Sequence, residues 1–405
     1  MEWSNQQQVA LDTVSRWLDS TGRQQTFRLF GFAGTGKTTL ATHLALGAGN
    51  VLFAAYTGKA ASVLRAKGCE GAMTIHKLIY MPADRSKRKL HELQKLYEKT
   101  FEGLAEEDRE TNDSLIRLKK AIGKEEEKLR TPFFQLNHDS VIEYADLVII
   151  DECSMVDERM GRDLESFGVP ILVLGDPAQL PPVGGGGYFT NQKPDILLTE
   201  IHRQARGNPI IELATAVRTG ERIYPGQYGE STIVDGKPEV DVVMNADQIL
   251  VGTNKSRRQC NAKMRKLLGH GENPCPVPGD KLVCLRNDHE MNLLNGTLWE
   301  VLHAEDLNCG QYLLRITNPD CGSLEIFAHE HYFKGTEKQL PYWEITSAQC
   351  FDFGYALTTH KAQGSQWDNV LVFDESCVFN GTARQWLYTA ITRAAKKITI
   401  CQNFR

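Results

Sequence analysis

The eight residues Gly31–Thr38 (GFAGTGKT) carry the strongest chemical signal in the chain. They match G-x-x-x-x-G-K-T, lying after the apolar run Phe27–Phe30 and before the helical composition of Lys37–Leu46, the strand–loop–helix context of a phosphate-binding loop. Gly31, Gly34 and Gly36 let backbone amides turn inward onto phosphate oxygens, and Thr35 and Thr39 complete the nucleotide-facing set. Lys37 is placed to reach the β- and γ-phosphates, and Thr38 to give its hydroxyl to Mg²⁺. A second signal, Leu147–Glu152 (LVIIDE), is a buried strand ending in two carboxylates. Asp151 would hold the metal and Glu152 would polarise an attacking water; the alternative is a pair that caps the next helix. Together the two motifs point to hydrolysis of ATP with Mg²⁺. They do not say what the energy drives.

These groups need a sheet to position them. Phe27–Phe30, Val51–Ala55, Leu147–Ile150 and Ile171–Leu174 read as buried strands separated by helical stretches, which predicts a parallel sheet with helices on both faces. A second alternating block begins near Thr199, with strands at Ile249–Val251, Tyr355–Leu357, Asn369–Phe373 and Ile398–Cys401 and a helix over Ala383–Ala394. Between the first strands, residues 81–134 are rich in charges of both signs. Leu90, Leu93, Leu96 and Tyr97, then Leu115, Leu118, Ile122 and Leu129, recur at helical spacing, predicting a hairpin of two helices that turns near Asp108–Asp113. It is either a working projection or a solvated charged hairpin. From about Gly279 to Ile345, short alternating runs predict a small β-barrel.

The expected fold is therefore α/β. Two RecA-like parallel-sheet P-loop domains span 1–80 with 135–198, and 199–278 with 346–405. The first carries the helical-hairpin insertion 81–134 and the second the β-barrel insertion 279–345. A length of 405 residues allows two to four domains. The formal charge of −5 means that any nucleic-acid binding must come from a local basic surface. Ten scattered cysteines without a C-x-x-C pair, Cys153 and Cys284 among them in apolar runs, argue for reduced thiols in a cytoplasmic protein. MEWSNQQQVALDTV has no basic leader, and no apolar run approaches the ~20 residues of a spanning helix.

The remaining motifs resemble, in order from Ser4 to Arg393, those of superfamily 1B helicases, the 5′→3′ class of phage Dda-type and RecD-like enzymes. SNQQQVA resembles the adenine-reading Q motif, with Gln7 as the adenine contact, Gln6 and Gln8 as adjacent alternatives, and Ser4 equally readable as a helix N-cap. GDPAQLPPV (Gly175–Val183) resembles motif III, where Gln179 would sense the γ-phosphate. LTEIHRQ (Leu198–Gln204) and YTAITRA (Tyr388–Ala394) resemble motifs IV and VI, whose arginines, Arg203 and Arg393, would stabilise the charge of the transferred phosphate. AYTGKAA (Ala55–Ala61), TIH (Thr74–His76), VGTN (Val251–Asn254) and TTHKAQG (Thr358–Gly364) resemble the DNA-facing motifs. The residues they offer to a sugar-phosphate backbone are Thr57, Lys59, Thr74, His76, Asn254, Thr358, Thr359, His360 and Lys361. Gln363 and Gly364 would couple that loop to the nucleotide.

The resemblance implies a DNA helicase or translocase moving 5′→3′ on single-stranded DNA and unwinding forked or tailed duplex. It further implies a monomer without membrane association, working with replication, repair or recombination proteins in a cytoplasm, that of a host if phage-encoded. Two other readings stay open: a translocase subunit of a repair or nuclease complex, and a nucleotide-dependent binding switch without unwinding. A strand-separating pin is also open, because the insertion has helical composition. Phe133 and Phe134 would either stack on a base at the fork or anchor the hairpin to the core, and Gly184–Gly187 reads as a flexible loop.

Overall fold

Five of the six residues of Thr26–Gly31 are buried, as are four of five in Leu147–Asp151 and all of Ile171–Gly175. Apolar runs without alternation are covered on both faces, which favours parallel pairing with helices on either side. In the computed structural model these strands form a six-stranded parallel sheet. Its order is Met73–Thr74, Val51–Ala55, Leu147–Asp151, Ile171–Gly175, Thr26–Gly31, Ile196–Leu198. The structure describes residues 3–82, 88–104, 109, 112–130, 134–182, 185–201, 207–288, 291, 293–319, 321–337, 340 and 348–404. In register, Ala55 lies opposite both Thr74 and Asp151, and Phe30 opposite Gly175. The loops that carry the chemistry therefore leave from one edge of the sheet, where ligands bind in such folds.

Helices Asn5–Asp19, Lys37–Ala45 and Gly58–Ala66 cover one face through Val14, Leu40, Leu44 and Leu64. Ile75–Ile79 and Glu158–Glu165 cover the other through Ile75, Leu78, Met160 and Leu164. Each such side chain, removed from water, stabilises the fold by roughly 1.5–3 kcal/mol. The second sheet runs Ala356–Thr358, Gln248–Val251, Trp367–Phe373, Ala394–Gln402, Ser231–Asp235, Gly226–Tyr228 and is parallel except at the last pair. Pro209–Thr219 and Ala383–Ile391 pack together over it through Leu213, Val217, Trp386 and Leu387. Asn208 caps the first of these helices, Pro209 opens it, and Gly220 closes it in the left-handed conformation.

The 81–134 insertion contains two helices, Arg88–Glu102 and Asp113–Arg130, packed on each other with Leu90 and Leu115 buried. Its base is a two-stranded ribbon, Tyr80–Pro82 against Phe134–Leu136. Asp108, Glu110 and Thr111, within the expected turn, and Phe133 lie outside the described residues.

The second insertion is a five-stranded antiparallel sheet in the order Gly322–His329, Gln311–Asn318, Leu298–Asp306, Lys281–Cys284, Phe351–Phe353. A bridge between Ala328 and Gln349 brings its first strand to the chain entering its last, so the sheet curls toward closure. It extends past the expected boundary at 345, because Phe351–Phe353 pairs with Lys281–Cys284 before the chain returns to the parallel sheet. It also shares its core with the second domain: Leu282, Trp299, Phe351 and Phe353 pack with Ile249, Val251 and Leu371. Arg265 and Asp280, both almost fully buried, pin helix Asn254–Leu267 to it. Asp280 accepts from Arg265 Nε (3.2 Å), His270 (2.8 Å), the Val277 amide (2.8 Å) and Tyr355 (2.8 Å). All ten cysteines are free, and Cys153 and Cys284 are buried.

Candidate nucleotide site and nucleic-acid interface

The phosphate loop is drawn tight by its own side chains. Thr35 Oγ1 donates to the Phe32 carbonyl (2.9 Å), and a Cβ on Gly31 would stand 2.5 Å from that hydroxyl. Gly36 takes φ +81, and a Cβ there would meet Gln7 Nε2 at 2.9 Å. Lys37 Nζ donates to the carbonyls of Gly31 (2.6 Å) and Phe32 (3.1 Å), lying back along the loop. Gly34 and Thr39 are exposed at its rim.

Thr38 Oγ1 donates to Asp151 Oδ2 (3.0 Å), and the Glu152 amide donates to Asp151 Oδ1 (2.8 Å). Burial pushes the Asp151 carboxyl up, as does Glu152, while Lys37 and Thr38 pull it down. Glu152 sits at φ +53, a conformation that a non-glycine residue adopts under strain and that recurs at functional sites. Asp176 is also buried and pushed up by burial, with Lys37 drawing it down. Lys37, Asp151, Glu152 and Asp176 thus form one charged cluster at the sheet edge. A carboxylate beside a hydroxyl is a hard-oxygen donor set suited to Mg²⁺, which commonly binds through one or two protein oxygens plus substrate phosphates. Among the described residues, no group of three or more His, Cys, Asp or Glu side chains forms a separate metal site.

The second domain meets this edge directly. Tyr388 donates to Asp176 Oδ2 (2.6 Å) and accepts from the Ala33 amide (3.0 Å). Thr389 Oγ1 accepts from the Leu180 amide (2.9 Å), and Gln363 Nε2 donates to the Leu180 carbonyl (2.9 Å). The Arg218 guanidinium stacks 3.7 Å above the Phe32 ring. Gln179 is buried beside these contacts, and among the described residues its Oε1 has no hydrogen-bond partner. A buried carbonyl oxygen without a donor costs about 1–3 kcal/mol.

Several expected contacts fall elsewhere. Ser4 caps the first helix, and Gln7 completes the capping box through Oε1 while its Nε2 donates to Thr35 O (3.1 Å). Both ends of that amide are held by the chain, so Gln7 braces the phosphate loop. Gln6 ties the helix to Leu197, Thr199 and Glu200. Arg393 is buried and bonds to Thr389 O, Ser365 O and Thr392 Oγ1, within its own domain. Arg203 lies outside the described residues. Gly364, expected near the nucleotide, lies instead against the Thr57 loop: at φ +75, its Cβ position is 2.7 Å from Thr57 Oγ1 and 3.0 Å from Ala60 Cβ.

Three of the residues expected at DNA line two grooves beside this Thr57–Gly364 contact: His360 the first, Lys59 and Thr74 the second. One, of about 1130 Å³, is lined by Tyr56, Pro181, Pro182, Tyr188, His360 and Gln363. The other, of about 760 Å³, is lined by Lys59, Thr74, Lys77, Thr297, Ser365 and Trp367. Thr57 and Thr74 cap their helices. Thr358 accepts weakly from the Lys361 amide, and Asn254 stands exposed at its helix start, accepting from Arg257. Thr359 is fully buried against Val251, so it fixes the loop rather than meeting a ligand. His76 is held among Tyr56, Tyr80 and Phe134, with ring centroids at 6.1, 5.5 and 5.6 Å. Of the two roles open to Phe134, this packing is the anchoring one. Burial lowers both His76 and His360, keeping them neutral near pH 7. Burial also pushes Lys361 down to about 8, with Arg257 adding to the fall.

Sequence reasoning missed Tyr388, Thr389, Asp176 and Arg218 as contact residues. The available signal, for the first two, was a phenol and a threonine within the otherwise apolar run Trp386–Ile391. Among the described residues, no helix is long and apolar enough to cross a membrane.

Residues 4–231 match the family described as an AAA domain, and residues 353–401 match the UvrD-like helicase C-terminal domain. The chain is 31% identical over 288 residues to the ATP-dependent RecD2 DNA helicase of Deinococcus radiodurans, covering 64% of this chain and 37% of that protein. It is 24% identical over 287 residues to the RecBCD enzyme subunit RecD of Mycobacterium tuberculosis, covering 63% and 49%. The chain thus spans between a third and a half of the length of these curated relatives. Among solved structures, Bacteroides Pif1 bound to ssDNA superposes with a TM-score of 0.54 at 16% identity, covering 98% of this chain and 92% of that one. The structure of two coordinating Pif1 helicases at forked dsDNA gives 0.52 at 19% identity, with the same coverage. At these identities the superpositions establish the fold.

Proposed function

The chain belongs to the AAA-domain family and has the superfamily 1B helicase fold, and on that premise we propose that it is an ATP-driven DNA translocase and helicase moving 5′→3′. The observation that carries this reading is the junction itself. The charged cluster of one domain is bonded to the second domain through Tyr388 and Thr389, while Gln363 and Gly364 of the same interface contact the loops beside both grooves. Chemistry at the nucleotide is thereby tied mechanically to the residues offered to a strand.

In this reading ATP lies on the phosphate loop, held by Lys37 and by amides of Gly34–Thr38. Thr38 and Asp151 hold Mg²⁺, which neutralises phosphate charge. Glu152 orients the attacking water. Gln179, buried at this junction, reads the terminal phosphate through its Nε2 donor. Arg393, held at its helix end, and Arg203 approach from the second domain as the cleft tightens. Thr57, Lys59, Thr74 and His76 grip the strand from the first domain, and Asn254, Thr358, His360 and Lys361 from the second. With both histidines neutral, few phosphates are neutralised, so affinity falls modestly with salt. DNA rather than RNA as substrate rests on the similarity to RecD2, and the polarity on the resemblance to superfamily 1B motifs. The activity of RecD2, an ATP-dependent DNA helicase, also supports a motor over a bare nucleotide switch.

The test is ATP turnover with and without single-stranded DNA, in wild type, Lys37→Ala, Glu152→Gln and Arg393→Ala. Strong stimulation in wild type, lost in all three variants, is expected; turnover indifferent to DNA and RNA would refute the reading.

A further inference from the structure

The phosphate loop is held from across the cleft at two consecutive residues. Phe32 carries the Arg218 guanidinium 3.7 Å above its ring, and the Ala33 amide donates to Tyr388 Oη at 3.0 Å. The same phenol donates at 2.6 Å to Asp176, which is 2% exposed and otherwise bonded to the Ala178 amide. One hydroxyl therefore joins three segments: the phosphate loop, the loop that leads to Gln179, and the helix Ala383–Ile391 that precedes Arg393. Arg218 and Tyr388 also share the lining of a cavity of about 490 Å³ with Ala178 and Arg384.

From this geometry we infer that Tyr388, supported by Arg218, is a positioning residue that sets the phosphate loop and the Asp176–Leu180 loop in their working arrangement whenever the two domains close. A phenol is suited to this bridge. It donates and accepts at once, and its burial among apolar neighbours keeps it protonated and fixed in one rotamer. Its hydrogen bond to a buried carboxylate is of the strong, charge-assisted kind. Loss of the hydroxyl leaves Asp176 buried with the Ala178 amide as its remaining hydrogen-bond donor, and leaves the Ala33 amide without an acceptor. Loop placement, not strand grip, should then suffer.

The kinetic part of this inference rests on the ATPase reading above; the structural part does not. The experiment is amide hydrogen exchange on the full chain, without nucleotide, for wild type, Tyr388→Phe and Tyr355→Phe. Tyr355 is a buried tyrosine whose hydroxyl bonds Asp280 in the small sheet. Tyr388→Phe should speed exchange in peptides covering Phe32–Thr35 and Gly175–Leu180 by about fivefold or more. Tyr355→Phe should leave both peptides as in wild type. In parallel, Tyr388→Phe should lower DNA-stimulated kcat about tenfold, with KM for ATP and DNA affinity changed less than threefold. Unchanged exchange in Tyr388→Phe overturns the inference whether or not the protein turns over ATP. Faster exchange with a wild-type kcat overturns the positioning role while leaving the contact. A wild type without DNA-stimulated turnover overturns the function proposed above and leaves the exchange result to decide the contact.

Discussion

Lys361 turns the account into a pH prediction. Burial pushes its ammonium down to about 8, with Arg257 nearby adding to the effect and Cys284 and Asp352 opposing it. At pH 7 roughly nine-tenths of the free protein carries the charge, and at pH 9 about one-tenth. A DNA phosphate against Lys361 favours the charged form and restores the ordinary value, so binding takes up a proton above pH 8. Between pH 7 and 9 the dissociation constant should rise about tenfold, or ~1.4 kcal/mol. The folded protein moves in the other direction. A lysine lowered by folding binds fewer protons folded than unfolded between about 8 and 10.5, so its contribution to stability rises with pH across that window and is lost as pH falls through 8. Weaker DNA binding at pH 9 therefore cannot be attributed to this group loosening the fold. The assay is fluorescence anisotropy of a labelled oligodeoxyadenylate at constant ionic strength, in wild type, Lys361→Arg and Lys361→Met. Wild type should lose affinity from pH 7 to 9, the arginine variant should remain nearly flat, and the methionine variant should be weak throughout. Parallel pH profiles in all three would refute the assignment of Lys361 to the strand.

Three further perturbations separate fold, coupling and fork. Asp280→Ala strands the Arg265 charge in the core, and urea denaturation should show a loss of about 3–5 kcal/mol. Gly364→Ala places a methyl group 2.7 Å from Thr57 Oγ1 at φ +75; it should disfavour the closed arrangement by about 1–2 kcal/mol and lower DNA-stimulated ATPase roughly tenfold, with little change in melting temperature. Phe134→Ala loosens the base of the helical hairpin beside His76. Unwinding of tailed duplex should fall about tenfold while ATPase on single strands stays within twofold, and an equal loss of both would remove any special role of the hairpin at the fork.

The parallel sheets were legible because their strands are unbroken apolar runs. Val51–Ala55 lies where the residues place it, and Leu147–Asp151 and Ile171–Gly175 exceed the expected runs by one residue each. Ile196–Leu198, Gly226–Tyr228 and Ser231–Asp235 were not foreseen; they are short or half-polar strands at or next to a sheet edge, with little periodicity to read. The phosphate loop and the Thr38–Asp151 pair followed from motif spacing, because local backbone geometry fixes them. The contacts of Gln7, Gly364 and Arg393 did not, since each depends on how distant segments meet. Gln7 faces the phosphate loop only because a capping box orients its helix, and Gly364 meets Thr57 only because the two domains dock. The Phe351–Phe353 strand shows the same limit: its residues are equally apolar in either sheet, and the partner Lys281–Cys284 decides.

The central claim, that hydrolysis between these domains moves the protein along DNA toward the 3′ end, is tested most directly by unwinding two duplexes of one sequence, one with a 5′ single-stranded tail and one with a 3′ tail, at saturating ATP and Mg²⁺. The account predicts ATP-dependent strand separation of the 5′-tailed substrate, abolished in Lys37→Ala, and little separation of the 3′-tailed one. Unwinding confined to the 3′-tailed duplex, or none on either substrate despite DNA-stimulated ATP turnover, would contradict it.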